Sequence, residues 1–483
     1  MHWFAVQRIL GLLLALFSVT MLPPAVVAVI YGDPGLQAFL ISFAVLLVAG
    51  GILWWLARHD RHELRTRDGF LIVVMFWSVL GAAGGVPLYL AEEPDIPLTD
   101  AVFESLSGLT TTGATVLTGL DHLPESIRFY RQQLQWLGGM GIIVLAVAIM
   151  PMLGVGGMQL YRAETPGPVK DNKFTPRIAE TAKALWYIYL SLTIACAMAY
   201  WLAGMNAFDA IGHSFSTVAI GGYSTYDASI GHFNSPLIEM ICVVFMLIAG
   251  LNFALHFIAW KSRSIRGYLR DTEARWFIGI MVTSGIIVTA TLMITGHYGG
   301  WGDTLHHAIF QAVSIGTTAG FATTDFANWP LFLPVLLVMT AFIGGCAAST
   351  GGGIKVIRFL LLLKQGYREV FRLVHPHAQV LVKVGNRPVD ERIINAVWGF
   401  FAAYIALFAI MLLLLMATGL DQVTAFSAVA ATITNLGPGL GDVAEHFGDI
   451  SAFAKWVLML AMLMGRLEVF TLLVLFTPAF WRR

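Results

Sequence analysis

The sequence predicts an all-α integral membrane protein in which four similar helical units surround one axis, preceded by two extra N-terminal transmembrane helices. Three observations lead there. Of the 483 residues, 57% are hydrophobic and only 12% are charged, against roughly 25% charge in an ordinary soluble domain. Apolar runs such as 9–30, 70–89, 393–417 and 457–476 reach the roughly 20 residues that a helix needs to cross a bilayer. One glycine-bearing pattern also returns four times along the chain, at intervals of about a hundred residues. Runs of this length fit helices rather than the short alternating strands of a barrel.

Hydropathy predicts ten crossings, at about 9–31, 35–57, 70–91, 132–153, 184–204, 235–260, 276–296, 330–353, 393–419 and 452–481. Between them lie half-polar helical segments at 98–112, 207–220, 303–318 and 422–435, too short to cross and suited to re-entrant elements. The first run follows Arg8 and lacks a small-residue cleavage pattern, so it reads as a retained helix. Cys196, Cys242 and Cys346 all fall in apolar stretches, which argues against a disulfide framework or a zinc site built on them. The predicted organisation is two N-terminal helices in 1–60 and repeat units at 68–160, 180–262, 272–372 and 390–483.

Charge orients the chain, because Lys and Arg accumulate in cytoplasmic loops. Of the 29 basic residues, all but Arg128, Arg131, Lys455 and Arg466 fall near the N-terminus, in 58–67, 162–183, 261–275 and 355–392, or at the C-terminus. These segments share one side, which places both termini in the cytoplasm. The opposite loops carry Glu92, Glu93, Asp95, Asp121, Asp227, Asp325, Asp442, Glu445 and Asp449, and acid at an entrance concentrates cations there. Acids also tolerate translocation better than bases, which gives the same pattern.

The repeat is anchored on Gly113 (TTTGAT), Gly222 (IGGYST), Gly320 (TTAGFAT) and Gly437 (TNLGPG). Upstream of each, DAVFESLS, DAIGHSFS, HAIFQAVS and TAFSAVAA align. Asp100, Ala101, Ser105 and Ser107 match Asp209, Ala210, Ser214 and Ser216, and the alanine recurs in every copy. Pseudo-fourfold helix–pore helix–helix repeats of this kind surround one central ion pore. A glycine lets the backbone turn its carbonyls inward, and rings of carbonyls replace an ion's hydration shell. Short helices aimed at the axis add the partly negative ends of their dipoles. The carbonyls expected to bind the ion belong to Thr111 and Thr112, Ile220 and Gly221, Thr318 and Ala319, and Asn435 and Leu436.

These motifs, together with GGCAASTGGGIK and MGRLEVFT, resemble the Trk/Ktr/HKT superfamily of potassium and sodium translocators, in its bacterial TrkH/TrkG branch, over essentially the whole chain. The resemblance implies potassium uptake across the bacterial inner membrane by a homodimer with one pore per protomer. It also implies a TrkA-type cytoplasmic regulator that binds nucleotides, with potassium as transported substrate and no cofactor. Relatives that favour sodium carry serine at the first filter glycine, so Gly113 favours potassium. Ile220, Asn435 and Leu436 depart from threonine at the filter.

The crossing at 330–353 ends in a run with Gly344, Gly345, Gly351, Gly352 and Gly353 around Ser349 and Thr350. Each glycine costs about 1 kcal/mol relative to alanine inside a helix, so the helix is expected to unwind into a gate beneath the filter. Close helix packing is the alternative for such a cluster. Arg466 lies near the middle of the last run, where a cation is costly, and is expected to bond the carbonyls of 344–353 or to form a barrier in the ion path, with a merely structural ion pair as the alternative.

The GLGDVA run at 439–444 follows no strand and is no dinucleotide site. His375 and His377 lie in a basic loop and read as solvated. Asn252 and His256 read as packing hydrogen bonds. The basic segments 355–392 and 261–275 are the candidate docking surface for the regulator, although lipid headgroups would select the same charges. Two classes stay open, a gated potassium pore and a secondary transporter coupled to protons or sodium. Coupling calls for titratable carboxylates near mid-membrane, a description approached only by Glu104, Glu239 and Glu468. No acid/base or nucleophile cluster suggests an enzyme.

Overall fold

The computed structural model describes residues 2–60, 62, 65–144, 178–385, 387–467 and 469–482. Most of the basic loop at 162–183, the far end of the crossing at 132–153 and Glu468 lie outside them. Among the described residues the regular structure is helical apart from a short antiparallel hairpin, Lys383–Val384 with Arg387–Pro388.

Among the described residues, six helices are long and apolar enough to cross a membrane: Trp3–Tyr31, Leu36–Ala57, Arg67–Leu90, Lys183–Leu202, Thr272–Thr295 and Glu391–Met416. The first two are the extra N-terminal pair. They approach closely through glycines, since a Cβ on Gly11 would lie 2.5 Å from Trp54 N and one on Gly50 would lie 2.6 Å from Ala15 N. Without water to drive association inside a bilayer, such backbone proximity supplies the packing.

Four of the ten expected crossings differ from the hydropathy reading, each for a local reason. The one at 132–153 belongs to a helix that starts earlier, Glu125–Val144. Its Arg128, Arg131, Gln132, Gln133 and Gln135 are all buried, so its polar face meets protein and hydropathy understates it. The one at 235–260 is two helices, Pro236–Gly250 and Phe253–Ser262, bent by 93°. Asn252 caps the second by accepting from Ala254 N at 2.9 Å, which stabilises the new start. The one at 330–353 is helical only over Leu333–Ile343. It stops because Gly344 takes φ 70°, ψ −153°, a region essentially closed to residues with a Cβ. The one at 452–481 keeps Ala452–Arg466 and then turns through Val469 at φ 49°.

Four short helices penetrate the interior: Leu98–Leu109, Ala207–Ala219, Trp301–Gly316 and Gln422–Ile433. Their last turns are buried throughout, as expected of elements wrapped by longer helices. Both chain ends meet on one side. Trp3 stacks on Trp481 at 5.9 Å and the Arg67 guanidinium donates to Arg482 O at 2.6 Å. The three cysteines are buried and free.

Candidate functional site

Each of the four short helices ends in the same way. Thr111, Ile220, Thr318 and Asn435 are left-handed, with φ of 53°, 54°, 70° and 55°. The next residue's N–H reaches back to the carbonyl of Ser107, Ser216, Ser314 or Ala431 at 2.8, 2.9, 2.8 and 2.7 Å. This is a Schellman cap repeated four times. The usual cap residue is glycine, yet three of these are β-branched, and a strained residue costs of order 1–3 kcal/mol. Gly113, Gly222, Gly320 and Gly437 follow at φ 82°, 80°, 80° and 100°, where glycine alone fits without penalty.

The four segments close on one another. A Cβ on Gly113 would stand 2.1 Å from Gly221 O, one on Gly222 2.1 Å from Ala319 O, one on Gly320 2.1 Å from Leu436 O, and one on Gly437 2.7 Å from Thr112 O. Each glycine thus faces the carbonyl just before the next glycine, in cyclic order, and the fourth returns to the first. Outer turns repeat the order: Leu120 N donates to Asp227 Oδ1 at 3.1 Å, Gly231 N to Ala322 O at 3.0 Å and Phe447 N to Thr115 O at 2.7 Å. The nine acidic residues expected around the entrance are all exposed.

Side chains fix the ring from behind. Thr112 Oγ1 bonds Thr110 Oγ1 at 2.8 Å and accepts from Asn435 Nδ2 at 2.9 Å. The hydroxyls therefore tie the first segment to the fourth, and the chemical departure at Asn435 is a cross-link. Gln135 donates to Gly221 O at 2.6 Å and accepts from Tyr223 N at 3.0 Å, which engages one lone pair of a carbonyl on the expected ion-binding list. Glu104 and Arg131 form a fully buried ion pair at 2.7 Å. Glu104 also accepts from Val116 N at 2.9 Å, and Arg131 donates to Ser224 O at 3.1 Å. Among the repeat-matched acids, Asp100 pairs with Lys455 at 2.7 Å, and Asp209 accepts from Thr225 and Tyr226 at 2.7 and 2.8 Å. Desolvation, then the bond to Asp209, pushes the Tyr226 phenol up to about 12.

Gln135, Tyr223 and the Glu104–Arg131 pair did not emerge from the sequence. The signal was present in the polar run RQQLQ at 131–135, lodged within an expected crossing.

The glycine-rich segment lies against the base of this ring. Gly352 N donates to Thr318 Oγ1 at 2.7 Å and Gly353 N to Thr434 O at 2.9 Å. Thr350 Oγ1 donates to Val218 O at 2.9 Å, while Ser349 closes a local turn on Cys346 O. The bend after Gly250 receives the other edge, because Cys346 N donates to Gly250 O at 2.9 Å and Phe253 N to Ala348 O at 3.1 Å. Arg466 donates to Thr350 O at 3.2 Å and to Gly138 O at 3.0 Å, with Trp77 beneath its guanidinium. A Cβ on Gly138 would touch Leu109 O, so segment and arginine together border the inner ends of all four short helices.

Asn252 and His256 are packing groups, His256 bonding Tyr268 and Ile248 O. His375 and His377 are exposed. Of the acids considered for coupling, Glu104 is ion-paired, and Glu239 lies in the first turn of its helix, 2.7 Å from His306.

Fold and ring together define a helical membrane transporter of the four-repeat class. A family model described as a cation transport protein, TrkH, matches residues 35–483. The chain is 62% identical over 484 residues to the Trk system potassium uptake protein TrkH of Vibrio parahaemolyticus, covering 100% of each. It is 43% identical over 483 residues to TrkG of Escherichia coli K12, covering 100% of this chain and 99% of that protein. The crystal structure of the potassium transporter TrkH from Vibrio parahaemolyticus aligns over 100% of both chains, with 59% identity and a TM-score of 0.91. The chain belongs to the TrkH cation transport family, and it is a transport protein, not an enzyme.

Proposed function

We propose that this protein takes up potassium across the bacterial inner membrane through a gated, channel-like pore on the axis of the four-segment ring. The observation that carries the reading is the fourfold recurrence of one strained cap, closed into a ring. Alternating left- and right-handed residues turn successive carbonyls toward one side, which regular extended chain does not do. A monovalent cation then exchanges water for the oxygens of Thr111, Thr112, Ile220, Gly221, Thr318, Ala319, Asn435 and Leu436. The unit boundaries read from the sequence, 1–60, 68–160, 180–262, 272–372 and 390–483, describe this pore and its N-terminal pair.

The segment from Gly344 to Gly353, latched by Arg466, is the gate in this reading. Its support is the set of bonds to Thr318, Thr434 and Val218 beneath the ring. Both termini face the cytoplasm, in keeping with the contact between the chain ends and the basic loop at 58–67. The protein works as a homodimer, with a TrkA-type nucleotide-binding regulator on the basic surfaces 355–392 and 261–275.

Coupling to a proton or sodium gradient is the lesser reading, because Glu104 is ion-paired and Glu239 lies in the first turn of its helix and not at mid-depth. The test is potassium flux into proteoliposomes with and without an imposed proton gradient. Flux that follows the potassium gradient alone supports the pore; flux that requires the proton gradient overturns it.

A further inference from the structure

Away from the ring, on the outer side, two units meet at a group that the pore reading does not use. Glu239, in the first turn of Pro236–Gly250, faces His306 and His307 on the third pore helix. One nitrogen of each imidazole and a carboxylate oxygen of Glu239 lie within 4.8 Å of one another.

Two details separate this group from an ordinary ion pair. His306 Nε2 and Glu239 Oε2 approach to 2.7 Å, yet both are buried and neither makes an aligned hydrogen bond. Two covered atoms without an aligned hydrogen bond, the imidazole nitrogen in its unprotonated form, keep lone pairs that a shared cation can accept. In addition, His307 Nδ1 is bonded to Thr323 Oγ1 at 3.0 Å and its ring stacks on Tyr298. Fixing one imidazole nitrogen through a hydrogen bond leaves the other as ligand and sets its direction, as in metal centres with a supporting second layer.

We infer that Glu239, His306 and His307 form a binding site for a divalent transition-metal ion of the zinc type. Two imidazoles and one carboxylate are the borderline ligands such an ion takes, with a fourth position left for water. Ligand atoms around a tetrahedral zinc stand roughly 3.3 Å apart when each bond is about 2.0–2.1 Å. To reach that spacing on binding, the close pair opens from 2.7 Å and the more distant atoms, within 4.8 Å of one another, draw together. The His306 side chain is 18% exposed although its Nε2 is covered, so the group lies just beneath the surface. The occupied site would join the second unit to the third just beyond Gly320, because Thr323 follows that segment directly.

The test is zinc binding to the full chain purified in detergent, stripped with a chelator and titrated with zinc chloride against a chromophoric zinc indicator at neutral pH. One zinc per chain is expected. Glu239→Gln, His306→Gln and His307→Asn should each weaken it by roughly tenfold or more, and Thr323→Val by a smaller factor. His375→Gln with His377→Gln, both on the cytoplasmic loop, should leave the affinity unchanged. Elution profile and unfolding temperature are recorded for every variant, so a misfolded protein is replaced by its milder partner, His306→Asn or Thr323→Val. Equal affinity in wild type and in folded Glu239 and His306 variants overturns the site, as does no binding by wild type at millimolar zinc. Binding is read without ion flux, so the result is independent of the pore reading.

Discussion

Replacing Gly352 with alanine tests the gate where it is tightest. Gly352 has an ordinary φ, so alanine meets no backbone penalty there. Its Cβ, however, would stand 1.9 Å from Thr434 O and 3.1 Å from Thr318 Oγ1. The first is a backbone atom at the end of a buried helix and cannot yield, so the segment must withdraw. Withdrawal breaks the bonds from Gly352 N to Thr318 Oγ1 and from Gly353 N to Thr434 O, at 2.7 and 2.9 Å. Each is worth about 0.5–1.5 kcal/mol net, so the closed arrangement loses about 1–3 kcal/mol. That corresponds to a roughly 5–150-fold shift toward the open state. The assay is potassium flux into proteoliposomes, normalised to reconstituted protein, with potassium over sodium preference measured alongside. Gly366→Ala is the control, since a Cβ at that helix position has nothing within 4 Å. Flux should rise for Gly352→Ala only, with selectivity kept. Wild-type flux in a folded Gly352→Ala protein would refute the gate, and a raised flux with lost selectivity would show that the filter itself had been distorted.

Arg466→Ala should also raise flux, because its two bonds to carbonyls are charge-assisted and worth about 1.5–3 kcal/mol each; Arg466→Lys should restore closure only in part, since one ammonium does not reproduce the guanidinium fork. Wild-type gating in Arg466→Ala removes the arginine from the mechanism. Glu104→Gln leaves Arg131 buried without its counter-charge at a cost of about 3–5 kcal/mol, so the unfolding temperature in detergent should fall clearly, and an unchanged temperature would mean that Thr115 Oγ1 and Ser224 O, which each accept from Arg131 at 3.1 Å, suffice to hold the arginine. Asp421 caps the fourth pore helix through Val423 N and Thr424 N at 2.8 and 3.2 Å, and Asp421→Ala should cost about 0.5–2 kcal/mol at neutral pH. Bonds from Thr424 hold the Asp421 carboxyl below its usual value. The stabilisation is therefore present above the ordinary carboxylate range and lost as pH falls through the lowered value, so wild type and variant should converge in unfolding temperature at strongly acidic pH.

Membrane character, the number of units and the place of the four glycines were legible in the sequence, because each rests on local chemistry. A long apolar run forces a helix by itself, and a glycine at a left-handed turn is required by its own φ. For the same reason the short helices appear within a few residues of where the pattern placed them, and the unwinding at Gly344 follows from the glycine content alone. Arg466 was legible as an anomaly, and bonding to the glycine-rich segment was one of the two roles anticipated for it.

What the tertiary structure decided is which polar groups meet. Hydropathy could not see that the polar face of Glu125–Val144 is buried, because burial of Arg131 becomes tolerable only once Glu104 is 2.7 Å away. Nor could it see that the 93° bend after Gly250 exists to receive Cys346 and Ala348, residues almost a hundred positions downstream. Left-handed Ile220 runs against its own propensity, and only the closure of four segments on one another holds it there. Local preference therefore wrote the elements, while long-range hydrogen bonds and paired charges, whose energies depend on partners far away in the chain, set the ring, its base and the cluster at Glu239.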